Sequence, residues 1–106
     1  MITKPSARTW KPKLPRVFVR RVVGISMAPA LEPNRIVLAG TVYGDLTPGA
    51  VVIVRHDGLE KIKRVTRVKN GRIYVEGDNR KSSRDSRDFG WLTKEAVVGK
   101  LIWPRV

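Results

Sequence analysis

The segment GISMAP, residues 24–29, presents a single hydroxyl, Ser26, between an apolar run and a proline-bounded turn. A serine becomes a nucleophile only when a neighbouring base accepts its proton. The one histidine, His56, precedes Asp57-Gly58, a pair typical of a turn, and adjacent side chains of an extended chain point to opposite sides. We therefore interpret His56 as a surface residue and not as the base of a Ser-His-Asp triad.

A neutral lysine is the other base available to a serine, provided that burial lowers its pKa from about 10.4 towards neutrality. Lys63 is the best placed lysine, because it lies inside a predicted strand close to Ile62 and Val65. The alternation of this strand is imperfect, since Lys61 and Lys63 share the parity of Val65, so periodicity alone does not bury Lys63. From the residues alone, Lys63 is either a buried base or a solvent-exposed strand lysine.

The composition limits the other functions that this chain could have. Lys and Arg number 22 against 9 Asp and Glu in 106 residues, which gives a net charge of +13 and predicts a nucleic-acid, anionic-lipid or acidic-protein partner. There is no cysteine and only one histidine, so no disulfide is possible and no metal or other cofactor is predicted. No run approaches the roughly 18 apolar residues of a membrane span, which predicts a protein that is cytoplasmic or peripheral to a membrane.

The pattern of apolar runs and turn residues predicts a mainly β fold with little helix. Residues 1–15 are interpreted as a basic, proline-containing arm and residues 16–106 as a single domain. Two-residue turns at Asp57-Gly58 and Asn70-Gly71 predict a three-stranded meander over residues 50–77. The predicted strands cover residues 16–24, 35–40, 50–56, 61–69, 72–77 and 97–103, and the unbroken apolar run of 50–56 indicates burial on both faces.

A long connection, residues 77–91, joins the last two of these strands. Its many charges are typical of a disordered segment, but its apolar flanks and the closing Phe89-Gly90-Trp91 favour an ordered loop, because the two rings gain from burial.

Three segments in order, GISMAP, KIKRV and GDNRKSSRDSRDFG, resemble the bacterial type I signal peptidases, which are Ser/Lys endopeptidases. The resemblance runs from about residue 17 to residue 103. It implies a compact catalytic core of short antiparallel strands that form a partly open barrel. Small soluble relatives are the more similar members, notably the peptidases that trim the leader of nickel-dependent superoxide dismutase.

The resemblance also implies roles for individual residues. Ser26 matches the nucleophile, Lys63 matches the neutral general base, and Ser83 matches the serine that orients this lysine. Asp85 and Arg87 match an ion pair that braces the loop near the site. 

Four further residues match positions that support the family's site. Asp78 and Asn79 fall in the structural turn that leads into the loop, and Met27 matches a residue that lines the substrate groove. Gly24 stands where some members carry a serine whose hydroxyl is the second oxyanion donor, so the second donor of this chain stays open.

These inferences predict a serine endopeptidase that removes an N-terminal leader or signal peptide through an acyl-enzyme on Ser26. The substrate is expected to bind as an added strand, and peripheral contact with an anionic membrane is a further expectation. The alternative is a basic β-barrel domain that binds nucleic acid, which the charge and Trp10, Trp91 and Trp103 favour. Nucleic acid is the weaker prediction, because the aromatic residues do not recur along basic strands. An inactive, peptide-binding relative is the third reading.

Overall fold

The computed structural model describes residues 16–106, and the predicted arm lies outside the described residues. Residues 16–106 form one antiparallel sheet of seven strands. The strands are β1 (Val17–Arg21), β2 (Ile36–Gly40), β3 (Val51–His56), β4 (Leu59–Lys69), β5 (Arg72–Glu76), β6 (Leu92–Thr93) and β7 (Val97–Trp103). In the described part of the chain, helix is confined to α1 (Ser86–Phe89) and two 3-10 turns, Arg80–Ser82 and Lys94–Ala96. The mainly β prediction is therefore confirmed.

Two strand boundaries differ from the prediction by two residues or more, four others differ by one residue, and one strand was missed. β1 ends at Arg21 instead of residue 24, because the Val22 amide turns to donate to the Arg35 carbonyl (2.8 Å) and Gly24 has a φ of +80°. β4 begins two residues early, at Leu59. The missed strand, β6, has only two residues and pairs with the start of β5.

The predicted meander of β3, β4 and β5 is confirmed, together with both of its turns. Asp57 and Gly58 have φ values of +52° and +74°, and Asn70 and Gly71 have +50° and +74°. Positive φ at both central residues is the conformation that hairpin turns of the Asn-Gly and Asp-Gly type adopt.

Strands β3 and β4 separate two apolar cores. Alternate residues of β3 face opposite sides, so Val52 and Val54 enter one core while Val51 enters the other. The first core also contains Leu46, Val65, Ile73, Val75, Leu92 and Val97, and the second contains Val22, Met27, Leu31 and Val37. The prediction that β3 is buried on both faces is confirmed.

The sheet is open in its strand order, β1-β2-β7-β3-β4-β5-β6, but it curls strongly. Four strand spacings separate β1 from β4, about 19 Å in a flat sheet. Nevertheless Arg20 Nε of β1 lies 2.7 Å from Glu60 Oε1 of β4. The two side chains could not reach each other if the sheet were flat. The curl brings the end of β1 over the start of β4, which is where the candidate site lies.

Candidate active site

Ser26 lies in the turn that follows β1, and hydrogen bonds on both sides fix its backbone. The Leu31 amide donates to the Met27 carbonyl (2.8 Å), closing one helical turn directly after the serine. The Asn79 amide donates to the Ser26 carbonyl (2.8 Å), which joins this turn to the loop after β5. Asn79 therefore acts on the site through its backbone, consistent with its predicted place in a structural turn.

Gly77 allows this close approach of the two segments. A Cβ atom built on Gly77 would lie 2.6 Å from the Ser26 carbonyl oxygen and would overlap the Ser83 hydroxyl. Only glycine fits between these groups without moving them.

Lys63 is buried, with 4% of its surface exposed, although strand periodicity did not predict it. Its Nζ donates to Ser83 Oγ at 3.0 Å. Burial lowers the pKa of Lys63 below its ordinary value, and the charges of Lys61 and Arg87 lower it further, while Asp85 and Asp88 act in the opposite direction. The environment therefore favours the neutral amine that a general base requires.

A chain of hydrogen bonds continues from Ser83 to Asp85 and Arg87. Ser83 Oγ lies 2.6 Å from Asp85 Oδ2, and the Gly77 amide donates to both Ser83 Oγ (3.1 Å) and Asp85 Oδ2 (2.8 Å). Arg87 donates to the same carboxylate from Nε (2.9 Å) and from Nη2 (2.8 Å). The structure thus brings together Lys63, Ser83, Asp85 and Arg87, as the resemblance implied.

The Asp85 carboxylate is fully buried and also caps α1. Its Oδ1 accepts from the Arg87 amide (3.1 Å), and Asp88 reaches back to the Asp85 amide (3.2 Å), which completes a capping box. Burial alone would raise the pKa of Asp85, but the hydrogen bonds from Arg87, Ser83 and the Gly77 amide outweigh it and hold the pKa well below its usual range. Asp85 is therefore ionised wherever the protein is folded near neutral pH.

The loop after β5 is ordered, as its closing aromatic residues predicted. Ser86, nearly fully buried, accepts from the Val75 amide (2.8 Å) and pins α1 to β5. Phe89 packs against the first core, and Trp91 meets the Tyr74 ring edge-on at 5.3 Å.

Asp78 forms a two-point ion pair with Arg64, the residue after Lys63. Arg64 Nε and Nη2 each lie 2.9 Å from one carboxylate oxygen. The same guanidinium donates to the Gly49 carbonyl (2.9 Å) and to the Val106 carbonyl (3.1 Å). The pair ties the strand that carries Lys63 to the loop that carries Ser83.

Ser26 and Lys63 line one cavity of about 250 Å³. One wall is formed by the end of β1 and the segment after it, including Val22, and the other by β4, including Ile62. Within residues 16–106, Lys63 Nζ makes its side-chain hydrogen bond to Ser83 and none to Ser26. To accept a proton from Ser26, a neutral Lys63 would have to point its lone pair towards Ser26 while it keeps its hydrogen bond to Ser83.

Among the strands of residues 16–106, none pairs with the edge of β4 beside the cavity. Residues 59–64 of β4 pair with β3 on one side, but on the other side β5 reaches only as far as Glu76, opposite Arg64. The backbone donors and acceptors of residues 60–63 that point away from β3 are therefore available to an extended peptide.

Met27 occupies a place that differs from its implied role, whereas Gly24 lies at a bend of the backbone and leaves the second oxyanion donor open. Met27 has no exposed surface and packs in the second core, so it supports the turn of Ser26 from behind and offers the groove no contact surface. Gly24 has nothing within 4 Å of a built Cβ, so its φ of +80° and not lack of space accounts for the glycine.

His56 is more enclosed than predicted. Its ring stacks on Phe89 at 4.0 Å, and its Nδ1 lies 3.2 Å from Lys61 Nζ. It does not contact Ser26, in agreement with the rejection of a histidine triad.

Sequence reasoning assigned no role to Gly77, Arg64, Ser86, Arg20 or Glu60. Gly77 and Ser86 lie inside the long motif after β5, so that motif could have pointed to them. The partners of Arg64, Arg20 and Glu60 come from distant parts of the chain, which no local pattern reveals. Among residues 16–106, no group of three His, Asp or Glu side chains is placed to hold a metal ion, and no helix is long and apolar enough to cross a membrane.

Comparison with known proteins connects this geometry to one family. The family model of signal peptidase, peptidase S26, matches residues 57–105. Signal peptidase I of Bacillus caldolyticus is 40% identical over 80 residues, which are 72% of this chain and 38% of that protein. The probable signal peptidase I-1 of Synechocystis sp. is 29% identical over 90 residues, 85% of this chain and 43% of that protein. The chain thus spans about two fifths of the length of these relatives.

Replacing Asp85 by Asn tests the central carboxylate. We expect Asp85→Asn to lower the free energy of unfolding by about 3 kcal/mol at pH 7, because a buried, fully hydrogen-bonded charge is lost. A carboxyl whose folded pKa is lowered stabilises the protein above its unfolded pKa of about 3.9, and this contribution disappears as the pH falls through the folded pKa. Urea unfolding at pH 7 and below pH 4 should therefore show a difference that shrinks in acid.

Asp57→Asn is the matched control, because Asp57 is exposed and asparagine tolerates its positive φ. We expect this control to change stability by less than about 0.5 kcal/mol. Equal effects of the two substitutions would contradict the role given to Asp85.

Proposed function

The chain belongs to the type I signal peptidase family, and from this premise we propose that it cleaves an N-terminal leader or signal peptide from a protein substrate. Ser26 is the nucleophile and Lys63 is the general base. The observation that carries the proposal is the buried Lys63 amine, held by Ser83 at the wall of the cavity that Ser26 also lines.

The direction of the hydrogen bonds supports this assignment. Ionised Asp85 can only accept, so the hydrogen of Ser83 is directed to Asp85 Oδ2. Ser83 Oγ must then act as an acceptor towards Lys63, which leaves the lone pair of the neutral amine free to face Ser26. Ser83 and Asp85 are positioning residues that orient the base without touching the substrate.

The reaction proceeds by acyl transfer. Lys63 Nζ accepts the Ser26 proton as Oγ attacks the scissile carbonyl, and the amide N–H of Ser26 donates to the developing oxyanion. The protonated lysine then gives its proton to the departing amine, which leaves the leader acyl-bonded to Ser26. A water molecule, deprotonated by Lys63, hydrolyses this ester and restores the serine hydroxyl.

The substrate binds in extended form along the free edge of β4. Residues 60–63 offer backbone groups to one side of the peptide, while the segment after β1 forms the opposite wall. Main-chain pairing of this kind gives affinity with little dependence on side chains. The small residues expected beside the cut follow from the family resemblance.

Nucleic-acid binding is less well supported. In the described residues, the aromatic pair of Tyr74 and Trp91 is the cluster that most resembles a platform for stacking bases. The Arg67 guanidinium lies over both rings, 4.3 Å from the centre of Tyr74 and 5.1 Å from the centre of Trp91. The Arg67 guanidinium occupies one face of each ring, so that face is closed to a stacking base.

We also propose contact with an anionic membrane through the outer face of β1, β2 and β7. The inner-facing Val37 and Ala39 of β2 are buried, so the alternate residues face outwards. This outer face exposes Val17, Val19, Ile36 and Trp103, and the Arg35 guanidinium lies over the Trp103 ring at 5.2 Å. Apolar and aromatic groups beside arginines suit the interface of anionic lipids.

Cleavage of a fluorogenic leader peptide with alanines around the cut tests the catalytic assignment. We expect Ser26→Ala and Lys63→Met to lower kcat/KM at least about a thousandfold, because each removes a partner of the attack. The native rate should rise with pH at a midpoint below the ordinary lysine value of about 10.4.

Matched controls are Ser82→Ala, in an exposed position of the loop, and Lys69→Met, at the exposed end of β4. Both should cleave at native rates, and circular dichroism should show all four variants folded. Full activity of Ser26→Ala would contradict the proposed mechanism.

Sedimentation with lipid vesicles tests the membrane surface. We expect Val19→Glu to weaken binding to vesicles rich in phosphatidylglycerol about tenfold, because it places a carboxylate on the apolar face. Val68→Glu makes the same charge change on β4 and should bind nearly as the native chain does. An equal loss in both variants would show that net charge alone attracts the vesicles.

A further inference from the structure

The cavity that Ser26 and Lys63 line ends at an ion pair that joins its two walls. Arg20 of β1 contacts Glu60 of β4 twice, from Nε to Oε1 (2.7 Å) and from Nη2 to Oε2 (3.2 Å). Arg55 Nη2 also lies 3.2 Å from Glu60 Oε2. We name the Arg20–Glu60 pair the clasp.

Charge is unbalanced around the clasp. Glu60 is the one carboxylate lining the cavity in the part of the chain that the structure describes, and Arg20 and Arg55 both bind it. Hydrogen bonds from Arg20 hold the pKa of Glu60 below its ordinary value, so the carboxylate stays ionised. Both of its oxygens already accept hydrogen bonds from arginines. Arg21 also lines the cavity, and within residues 16–106 its guanidinium donates a hydrogen bond only to the Asn34 carbonyl (3.3 Å). The end of the cavity therefore carries excess positive charge.

Strand spacing fixes which substrate residue reaches this end. Glu60 precedes Lys63 by three positions on β4, about 10 Å. A peptide paired with this edge, with its scissile residue beside Lys63, places its fourth residue from the cut beside Glu60. The acyl segment takes this side, parallel to β4, because it must stay bound while water replaces the departing amine, and the unpaired edge of β4 and the cavity both extend from Lys63 towards Glu60.

We propose that the clasp and Arg21 select the substrate by charge, favouring a carboxylate side chain at the fourth residue before the cut and disfavouring lysine or arginine there. This inference rests on the proposed function. An acidic side chain can pair with Arg21 or share Arg20 without displacing Glu60. A basic side chain meets the arginines and must compete for the single carboxylate.

Three peptides that differ only at the fourth residue before the cut, Glu, Gln or Lys, test the proposal on the full chain. We expect kcat/KM to fall in the order Glu, Gln, Lys, with about a tenfold total range at low salt that narrows near 1 M salt. Arg20→Glu should reverse the order. Arg72→Glu is the matched control, because it makes the same charge change at the far hairpin, and its order should stay native.

Binding of the same peptides to Ser26→Ala, measured by fluorescence anisotropy, separates this proposal from the catalytic one. The same order of affinity is expected without any cleavage. Cleavage that depends on Ser26 but ignores the fourth residue would overturn the charge selection and leave the peptidase intact. Charge-ordered binding without cleavage by the native chain would overturn the peptidase and keep the selection. Failure to bind or cleave any of the three peptides would overturn both.

Discussion

The burial of one amine is the constraint on which the rest of this site depends. A charged lysine in an apolar surrounding is costly, so Lys63 must be neutral or must be compensated. The protein places Ser83 at its Nζ and the ionised Asp85 behind Ser83. This arrangement fixes the direction of each hydrogen bond, and it offers the amine an acceptor while leaving its lone pair available.

Much of the loop after β5 serves that arrangement. Arg87 forms an ion pair with the buried Asp85, and the Gly77 amide donates to Ser83 Oγ and to Asp85 Oδ2. Because Gly77 has no side chain, the same loop also approaches the Ser26 backbone closely enough for the Asn79 amide to bind it. One short segment therefore positions the groups on both sides of the proposed reaction.

The sequence predicted the strands well, because their apolar runs and the Asp-Gly and Asn-Gly turns are local signals. The resemblance identified Ser26, Lys63, Ser83, Asp85 and Arg87, and the structure brings the last four into one hydrogen-bonded cluster. Burial of Lys63 could not be read from alternation, because it depends on the loop that folds over β4. Met27 was assigned to the groove on resemblance, and its full burial comes from the turn that packs it against the second core.

A nitrogen-detected NMR titration of the Lys63 amine, with Lys63→Met to assign its signal, measures whether the fold holds this lysine as a neutral base. We expect the pKa of Lys63 to lie clearly below that of the other lysines, about 10.4, because burial disfavours its charged form. We expect this difference to be absent in unfolding concentrations of urea. Titration of folded Lys63 together with the other lysines would contradict the claim that the fold prepares it as a neutral base.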